Sequence, residues 1–390
     1  MQHLLTEEQR TIQEMARTIA EEKVRPVRQQ YDEQCTFPWD VVKALAQVDM
    51  FRVFIPVEYD GLVEDGHGIV NMCLVTEELS KVCAGISLAF AGTGLGAYPI
   101  LLYGSDEQKK RYLPRIASGE QLAAFGLTEP AAGSDAGAIR MTAIRDGDSY
   151  VLNGTKIFIT NGGEADIYTI VALTDPNKGA RGASAFIIEK GTPGFSFGKS
   201  ESKMGIHASA TRELIFEDAR VPAENLLGKE GQGFIVSMKT FDISRPGVAA
   251  QAVGVAAGAM NEALAYVHQR KQFGKSIMTF QGIQWMFADM ATQIEAARAL
   301  TYQVADMIDH GITRDIGHLS AMAKVFASDV AMKVATDAVQ VCGGYGYMTE
   351  YPVEKMMRDA KITQIYEGTN QIQRNVIGAR LMKEASRLAR

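Results

Sequence analysis

Residues 365–371 read Ile-Tyr-Glu-Gly-Thr-Asn-Gln, and a helical pattern follows. Glu367 is a carboxylate set between an aromatic ring, Tyr366, and a Gly-Thr-Asn turn. Two roles suit it. An acid just ahead of a helix is attracted by the partial positive charge of the helix start. A carboxylate projecting from a turn can also act as a general base, if its surroundings raise its proton affinity. On this stretch alone both readings stand. Two other stretches could do chemistry. "FGLTEPAAGSDAGAIR" (125–140) is dense in Gly, Ala, Ser and Thr, and small side chains let backbone N–H groups approach a flat polar ring and a phosphate. Taken singly it is also an ordinary polar loop. "RKQFGK" (270–275) sets two adjacent cations behind a helix, suited to a diphosphate or nucleotide, or simply to a helix C-terminus.

Other chemistries fall away. "GTGLGA" (92–97) satisfies G-x-G-x-x-G/A, yet no strand leads into it and the surrounding zone is helical. "GFSFGKS" (194–200) fails the P-loop spacing, because Pro193 stands where the first Gly should be. The six histidines form no cluster, as a serine-hydrolase triad would need; His207 and His268 read as surface or interface residues. Cys35, Cys73, Cys83 and Cys342 are not spaced as C-x-x-C. They read as reduced thiols with neither a disulfide framework nor a zinc site. The formal charge is 40 − 46 = −6. With Lys109-Lys110-Arg111 as the densest basic cluster, this weighs against nucleic acid as a partner. The first residues lack a long apolar h-region, and no uninterrupted apolar run reaches about 18 residues. A cytoplasmic protein without a membrane span is the expectation.

The elements that must position these residues divide by period. Residues 1–120 read as helix. Thr6 to Gln9 fits a capping box, and Ile12, Met15, Ala16, Ile19 and Ala20 form an i, i+3, i+4, i+7, i+8 stripe before Pro26 interrupts. Further helices are expected at 39–49, 69–82 and 106–117. Residues 121–235 carry short β-rich runs at 150–160, 166–174, 183–190 and 212–222, the pattern of a compact barrel or sandwich. Asn153-Gly154 reads there as a two-residue hairpin turn. Residues 236–390 return to long Ala-rich helices at 247–270, 280–308 and 319–344, the last stopped by Gly343-Gly344. The expected class is α+β: an N-terminal helical domain, a central β-barrel domain and a C-terminal four-helix-bundle domain. A 390-residue chain, 46% hydrophobic and 22% charged, has the balance of an ordinary soluble enzyme of two or three domains.

Seven stretches, in this order, carry a resemblance: "LTEPAAGSDAG", "NGTKIFITNGG", "MGIHASATRELIFEDARVP", "RKQFGKSI", "QVCGGYGY", "TEYPVEKMMRDAKI" and "IYEGTNQIQR". The chain resembles the acyl-CoA dehydrogenases, a flavoenzyme family, and its look is nearest the medium-chain branch. The resemblance implies FAD held between barrel, C-terminal bundle and a neighbouring subunit. It further implies a homotetramer built as a dimer of dimers, with electron-transferring flavoprotein as electron acceptor. Phe125, Leu127, Thr128 and Ser134 match the flavin-contact segment, with Ser134 also near the CoA. Phe158, Ile159 and Thr160 match the strand against the isoalloxazine, where the family often has Trp in place of Phe158. Arg270, Gln272, Phe273 and Gln281 match the part that reaches the adenosine diphosphate of a neighbour's FAD. Gln340, Gly343 and Gly344 match another piece of that site, and Thr369 with Gln371 the last. Asp242, Arg245 and Gly368 match the substrate side.

The resemblance makes Glu367 the base that takes the α-proton of an acyl-CoA while flavin N5 accepts the β-hydride, giving the 2-enoyl-CoA. Some relatives carry the base near residue 244; here that position is Ser244, which cannot serve. The acyl pocket is expected to be lined by "SLAFAGTGLGAYP" (87–99), apolar and small enough for a short, medium, branched or alicyclic acyl group such as cyclohexanecarbonyl. Thr363 is expected to widen it. A glutaryl-type substrate is disfavoured, because Ile86 stands where an Arg would meet the distal carboxylate. An acyl-CoA oxidase is expected to be longer, and a catalytically idle flavin- or acyl-CoA-binding assembly partner would not need Glu367.

Overall fold

The computed structural model describes residues 5–312 and 315–388. Thr6 opens helix α1 (Glu7–Ile19) with a reciprocal capping box. Its hydroxyl accepts the Gln9 N–H and its own N–H donates to the Gln9 side chain, each at 3.1 Å. Ile12, Ala16 and Ile19 turn inward as their spacing requires, whereas Met15 is left exposed. A π-helical turn, Ala20–Val24, precedes Pro26. Helices α2 (Arg28–Gln34), α3 (Trp39–Gln47), α4 (Ile69–Ser80), α5 (Ala84–Tyr103) and α6 (Asp106–Ala117) follow. Although its sequence is not an unbroken apolar run, α5 is long and apolar enough to cross a membrane by length and composition. It serves as a core helix, with 78% of its most apolar stretch buried. "GTGLGA" lies within it, and its glycines let neighbours approach. A Cβ at Gly96 would stand 2.4 Å from the Ala124 nitrogen, and one at Gly92 would stand 2.8 Å from Thr160 Cγ2.

Strands β1 (Ala123–Gly126), β2 (Thr142–Asp146), β3 (Ser149–Thr160), β4 (Ile167–Leu173), β5 (Ala183–Glu189), β6 (Phe195–Ser200), β7 (Thr211–Pro222) and β8 (Leu226–Leu227) form one sheet. The order is β6-β7-β3-β2-β4-β5-β8, with β1 pairing β4 in parallel. The β2–β3 hairpin turns around Gly147 (φ 62°) rather than at Asn153-Gly154. Asn153-Gly154 instead lies inside β3, at a bulge where the register with β7 slips. There Asn153 Nδ2 donates to Asp218 Oδ1 at 3.0 Å, and the Asp218 N–H donates back to Asn153 Oδ1 at 2.9 Å. A bulge asks for the same permissive backbone as a turn, so the dipeptide alone does not separate the two.

Helices α7 (Gly233–Gln269), α8 (Gln281–Asp309), α9 (Ile316–Cys342), α10 (Val353–Thr363) and α11 (Asn370–Leu388) complete the chain, with a short β9–β10 hairpin (271–276) between α7 and α8. The Ala-rich run from 247 is only the second part of α7, which continues through Pro246. Proline deprives the Asp242 carbonyl of its helical donor. Ser320 on α9 supplies one, donating its hydroxyl at 2.6 Å. α9 ends at Gly343 (φ 61°), where the sequence signals a stop.

Candidate functional site

A cavity of about 480 Å³ opens where α5, the β1–β3 region, α7 and the segment ahead of α11 meet. One wall carries Phe125, Leu127, Thr128, Ser134 and the run Phe158–Thr160. The pairing of β3 with β7 is irregular between Lys156 and Ile159, and Phe158 sits at φ 59°. Bulges of this kind re-aim a side chain, and the Phe158 ring is left 59% exposed along the cavity. The hydroxyls of Thr128, Ser134 and Thr160 make no protein hydrogen bond among the described residues. An aromatic face with uncommitted hydroxyls beside it fits a flat ring system edged with hydrogen-bonding atoms, as a flavin is.

The facing wall carries Tyr366, Glu367 and Gly368 together with Ser244, Arg245 and Gly247 of α7. Ser244 Oγ donates to Glu367 Oε2 at 2.5 Å. Enclosure raises the Glu367 carboxyl above its ordinary range; the Ser244 hydrogen bond and the Arg245 and Lys324 charges pull the other way without cancelling it. Glu367 takes a left-handed backbone at φ 52° and Gly368 follows at φ 92°. This turn aims the carboxylate into the cavity ahead of α11. The Glu367 N–H has no protein acceptor among the described residues.

Leu88, Ala91, Gly92, Leu95 and Tyr98 line the cavity at helical spacing on one face of α5, and Met72 of α4 joins them. The small residues of 87–99 therefore do two jobs. Ala91 and Gly92 line the cavity, whereas a Cβ at Gly94 would stand 2.1 Å from Met72 Cε and Gly96 lies against Ala124. Tyr366 donates its hydroxyl to Gln251 Oε1, and Gln251 Nε2 donates to the Ala84 carbonyl at 3.2 Å. This chain of bonds ties the Tyr366–Gly368 segment to α7 and to the start of α5. Thr363 does not widen the cavity as its position in the sequence implied. It is buried in α10, donates to the Ala360 carbonyl at 2.7 Å and lines no part of the wall. Ile86 is buried outside the wall, and among the described residues Arg245 is the one lysine or arginine in the lining.

The remaining residues singled out in the sequence lie elsewhere in this single chain. Arg270 caps α7 and its guanidinium sits 5.5 Å from the Tyr345 ring, beside a second cavity of about 380 Å³. Gln272 is exposed in the β9–β10 hairpin, and Phe273 at its turn is 91% exposed. Gln281 opens α8. Gln340, Gly343 and Gly344 cluster at the end of α9, and a Cβ at either glycine would meet nothing within 4 Å. Thr369 and Gln371 flank the start of α11. Asp242 sits one turn before Arg245, outside the cavity wall, with its carboxylate 3.4 Å from Lys239 Nζ and 4.0 Å from Arg245.

Several supporting groups give no sequence signal of a role at this site: Ser244, which cannot be a base, Gln251, Lys324 and the Lys156–Glu129 pair. Lys156 is wholly buried, donating to Glu129 Oε1 at 2.6 Å and to the Leu127 carbonyl at 3.0 Å. The same Glu129 carboxylate accepts the N–H groups of Arg140, at 2.6 Å, and Met141, at 3.1 Å, closing the 127–141 loop.

The chain matches three family models in succession: acyl-CoA dehydrogenase N-terminal domain over residues 6–120, middle domain over 124–219 and C-terminal domain over 231–382. It is 51% identical to a short-chain-specific acyl-CoA dehydrogenase of Clostridium acetobutylicum, across 97% of this chain and 99% of the relative. It is 46% identical to butyryl-CoA dehydrogenase from Megasphaera elsdenii, with a TM-score of 0.94 over 97% of this chain and 99% of that one. A further structure, described as "Electron transferring flavoprotein of Acidaminococcus fermentans: Towards a mechanism of flavin-based electron bifurcation", matches at 51% identity. Its TM-score is 0.94, over 97% of this chain and 98% of that one.

Proposed function

The chain belongs to the acyl-CoA dehydrogenase family, whose members are FAD-dependent enzymes, and we propose that Glu367 is its catalytic base. The observation that carries this is the Glu367 carboxylate itself. It lines the same cavity as Phe158–Thr160 and is raised in proton affinity by enclosure. An α-proton beside a thioester is weakly acidic, so its removal needs a base of matched affinity and a donor for the growing charge on the thioester oxygen. Glu367 supplies the base, and its own free N–H is placed to be such a donor. Bound FAD supplies the hydride acceptor at N5 and a ribityl hydroxyl. Phe125, Leu127, Thr128, Ser134, Phe158, Ile159 and Thr160 are the residues of this wall that would hold it. Arg270, Gln272, Phe273, Gln281, Gln340, Gly343, Gly344, Thr369 and Gln371 would serve the dinucleotide end across a homotetramer. The exposure of Phe273 and the open backbone at Gly343 and Gly344 support that reading. Arg245, with Asp242 beside it, would anchor the CoA portion of the substrate, and Gly368 would line the substrate site.

The acyl group is short. The relative's short-chain specificity and the apolar face of α5 that lines the cavity support this. A branched or alicyclic acyl group is a second reading. It is favoured by Gly247, where an added Cβ would meet nothing nearer than 3.8 Å. A dicarboxylyl substrate is disfavoured, because Arg245, the one lysine or arginine among the described residues of the wall, already donates to the Glu367 carbonyl. Electrons would pass to an electron-transferring flavoprotein, as the likeness to the Acidaminococcus structure supports. Anaerobic mixing with butyryl-, isobutyryl- and cyclohexanecarbonyl-CoA tests the reading. Butyryl-CoA should bleach the flavin fastest, and Glu367→Gln should retain FAD without bleaching. Undiminished bleaching by that variant would refute the assignment of the base.

A further inference from the structure

A buried lysine stands behind the base. Lys324 lies on α9, shut from solvent, and forms no part of the cavity wall. Its Nζ donates to the Gly368 carbonyl and to Asn370 Oδ1, each at 2.9 Å. Both acceptors are neutral, whereas a buried ammonium is ordinarily paired with a carboxylate. The backbone that it grips is the left-handed pair Glu367-Gly368. A non-glycine residue keeps such a conformation only where its surroundings over-determine it. Gln373 Nε2 donates to the Glu367 and Gly368 carbonyls at 3.0 and 2.8 Å, and Arg245 Nε donates to the Glu367 carbonyl at 3.3 Å. Asn370 is fixed in turn, donating to Ser328 Oγ at 2.9 Å and Asp329 Oδ1 at 2.8 Å. Three charged groups face Lys324: Glu367 from the loop, Arg245 from α7 and Asp329 from its own helix. Burial pulls the ammonium down to about 7, against the attraction of Glu367 and Asp329, and Arg245 adds to the fall.

We infer that Lys324 is a positioning residue for the reaction. It holds the Gly368 carbonyl and Asn370 so that Glu367 is presented to the cavity, and it places a cation behind that carboxylate. The inference rests on Glu367 being the base. Losing the cation makes the Glu367 carboxylate easier to protonate, so the limb of activity that depends on ionised Glu367 moves to higher pH. Loosening the loop slows the chemical step, since a small misplacement of a reacting group is costly.

The test is single-turnover flavin bleaching by butyryl-CoA across pH, on FAD-loaded wild type, Lys324→Met and Glu367→Gln. Lys324→Met should keep its FAD and its affinity for the CoA thioester. It should bleach about 10- to 100-fold more slowly at pH 7, with the limb displaced upward by about one pH unit. Lys324→Gln is one bond shorter and uncharged, but it keeps an N–H that can turn toward the Gly368 carbonyl. It should recover part of the rate and keep the displaced limb, and it decides the matter if the Met variant fails to fold. Wild-type rate and limb in either folded variant would overturn the inference, provided that Glu367→Gln is inactive. Full bleaching by Glu367→Gln would instead show that the assignment of the base had failed.

Discussion

Lys156 and Lys324 are both shut from solvent, and they differ in what receives their protons. Lys156 meets a full carboxylate, Glu129, at 2.6 Å, and the Leu127 carbonyl. Lys324 meets a carbonyl and an amide oxygen. Burial lowers both, Lys156 to about 8, with Glu129 opposing the fall, and Lys324 to about 7. In the first case the opposite charge is consumed locally, and the pair acts as a fastener between β3 and the 127–141 loop. In the second the carboxylates nearby are Glu367, the proposed base, and Asp329, and neither takes a hydrogen bond from the lysine, so its charge is left to act on Glu367. Two side chains of the same type and depth thus differ in whether their charge reaches the chemistry.

The largest effect is expected from breaking the fastener. Lys156→Met leaves Glu129 buried without its cation, a change of about 3–5 kcal/mol. Chemical denaturation of the FAD-loaded protein should register it, together with weaker FAD retention. The pH limb of whatever bleaching remains should stay in place. A displaced limb would erase the contrast between the two lysines.

Ser244→Ala acts directly on Glu367, the proposed base. Its hydroxyl favours the charged form of Glu367, so removing it should raise the carboxyl's proton affinity further. More of the base is then protonated at low pH, and bleaching there should fall by about tenfold. It should recover toward wild type as pH rises past the displaced limb. A limb that moved down, or not at all, would mean that the hydrogen bond does not act on the base.

The smallest effect is expected at Tyr366→Phe, which removes the hydroxyl bound to Gln251. The cost in stability should be about 1 kcal/mol. The readout is the ratio of kcat/KM for butyryl- over cyclohexanecarbonyl-CoA, which should fall as the Tyr366–Gln251 link loosens. An unchanged ratio would remove that link from substrate selection.

Much of this was legible in the sequence, where local chemistry decides. The Thr6–Gln9 capping box, the stop at Gly343 and the short β-runs rest on neighbours a few residues apart. Asn153-Gly154 misled because bulge and turn ask for the same backbone, and the deciding partner, Asp218, lies 65 positions away. Pro246 hid the first turns of α7 because its rescue comes from Ser320 on another helix. Glu367 stood out as a candidate because its turn and following helix are contiguous, and the family resemblance made it the proposed base. Its supports did not, since Ser244 and Lys324 come to it from α7 and α9. One signal for Lys324 was present: it falls on the stripe of Ser320, Ala327, Ala331, Val334 and Ala338, all buried on α9. A charged residue in register with an apolar stripe marks a buried cation that some other element must satisfy.

Proton removal by Glu367 is open to one direct measurement: the primary isotope effect on flavin bleaching with α-dideuterated butyryl-CoA, taken across pH under anaerobic single-turnover conditions. Wild type should show a clear effect, with a rate that falls as pH drops through the raised Glu367 titration, and Glu367→Gln should lose the reaction by about 10³-fold or more. A Glu367→Gln protein that bleaches at the wild-type rate with the same isotope effect would contradict the account.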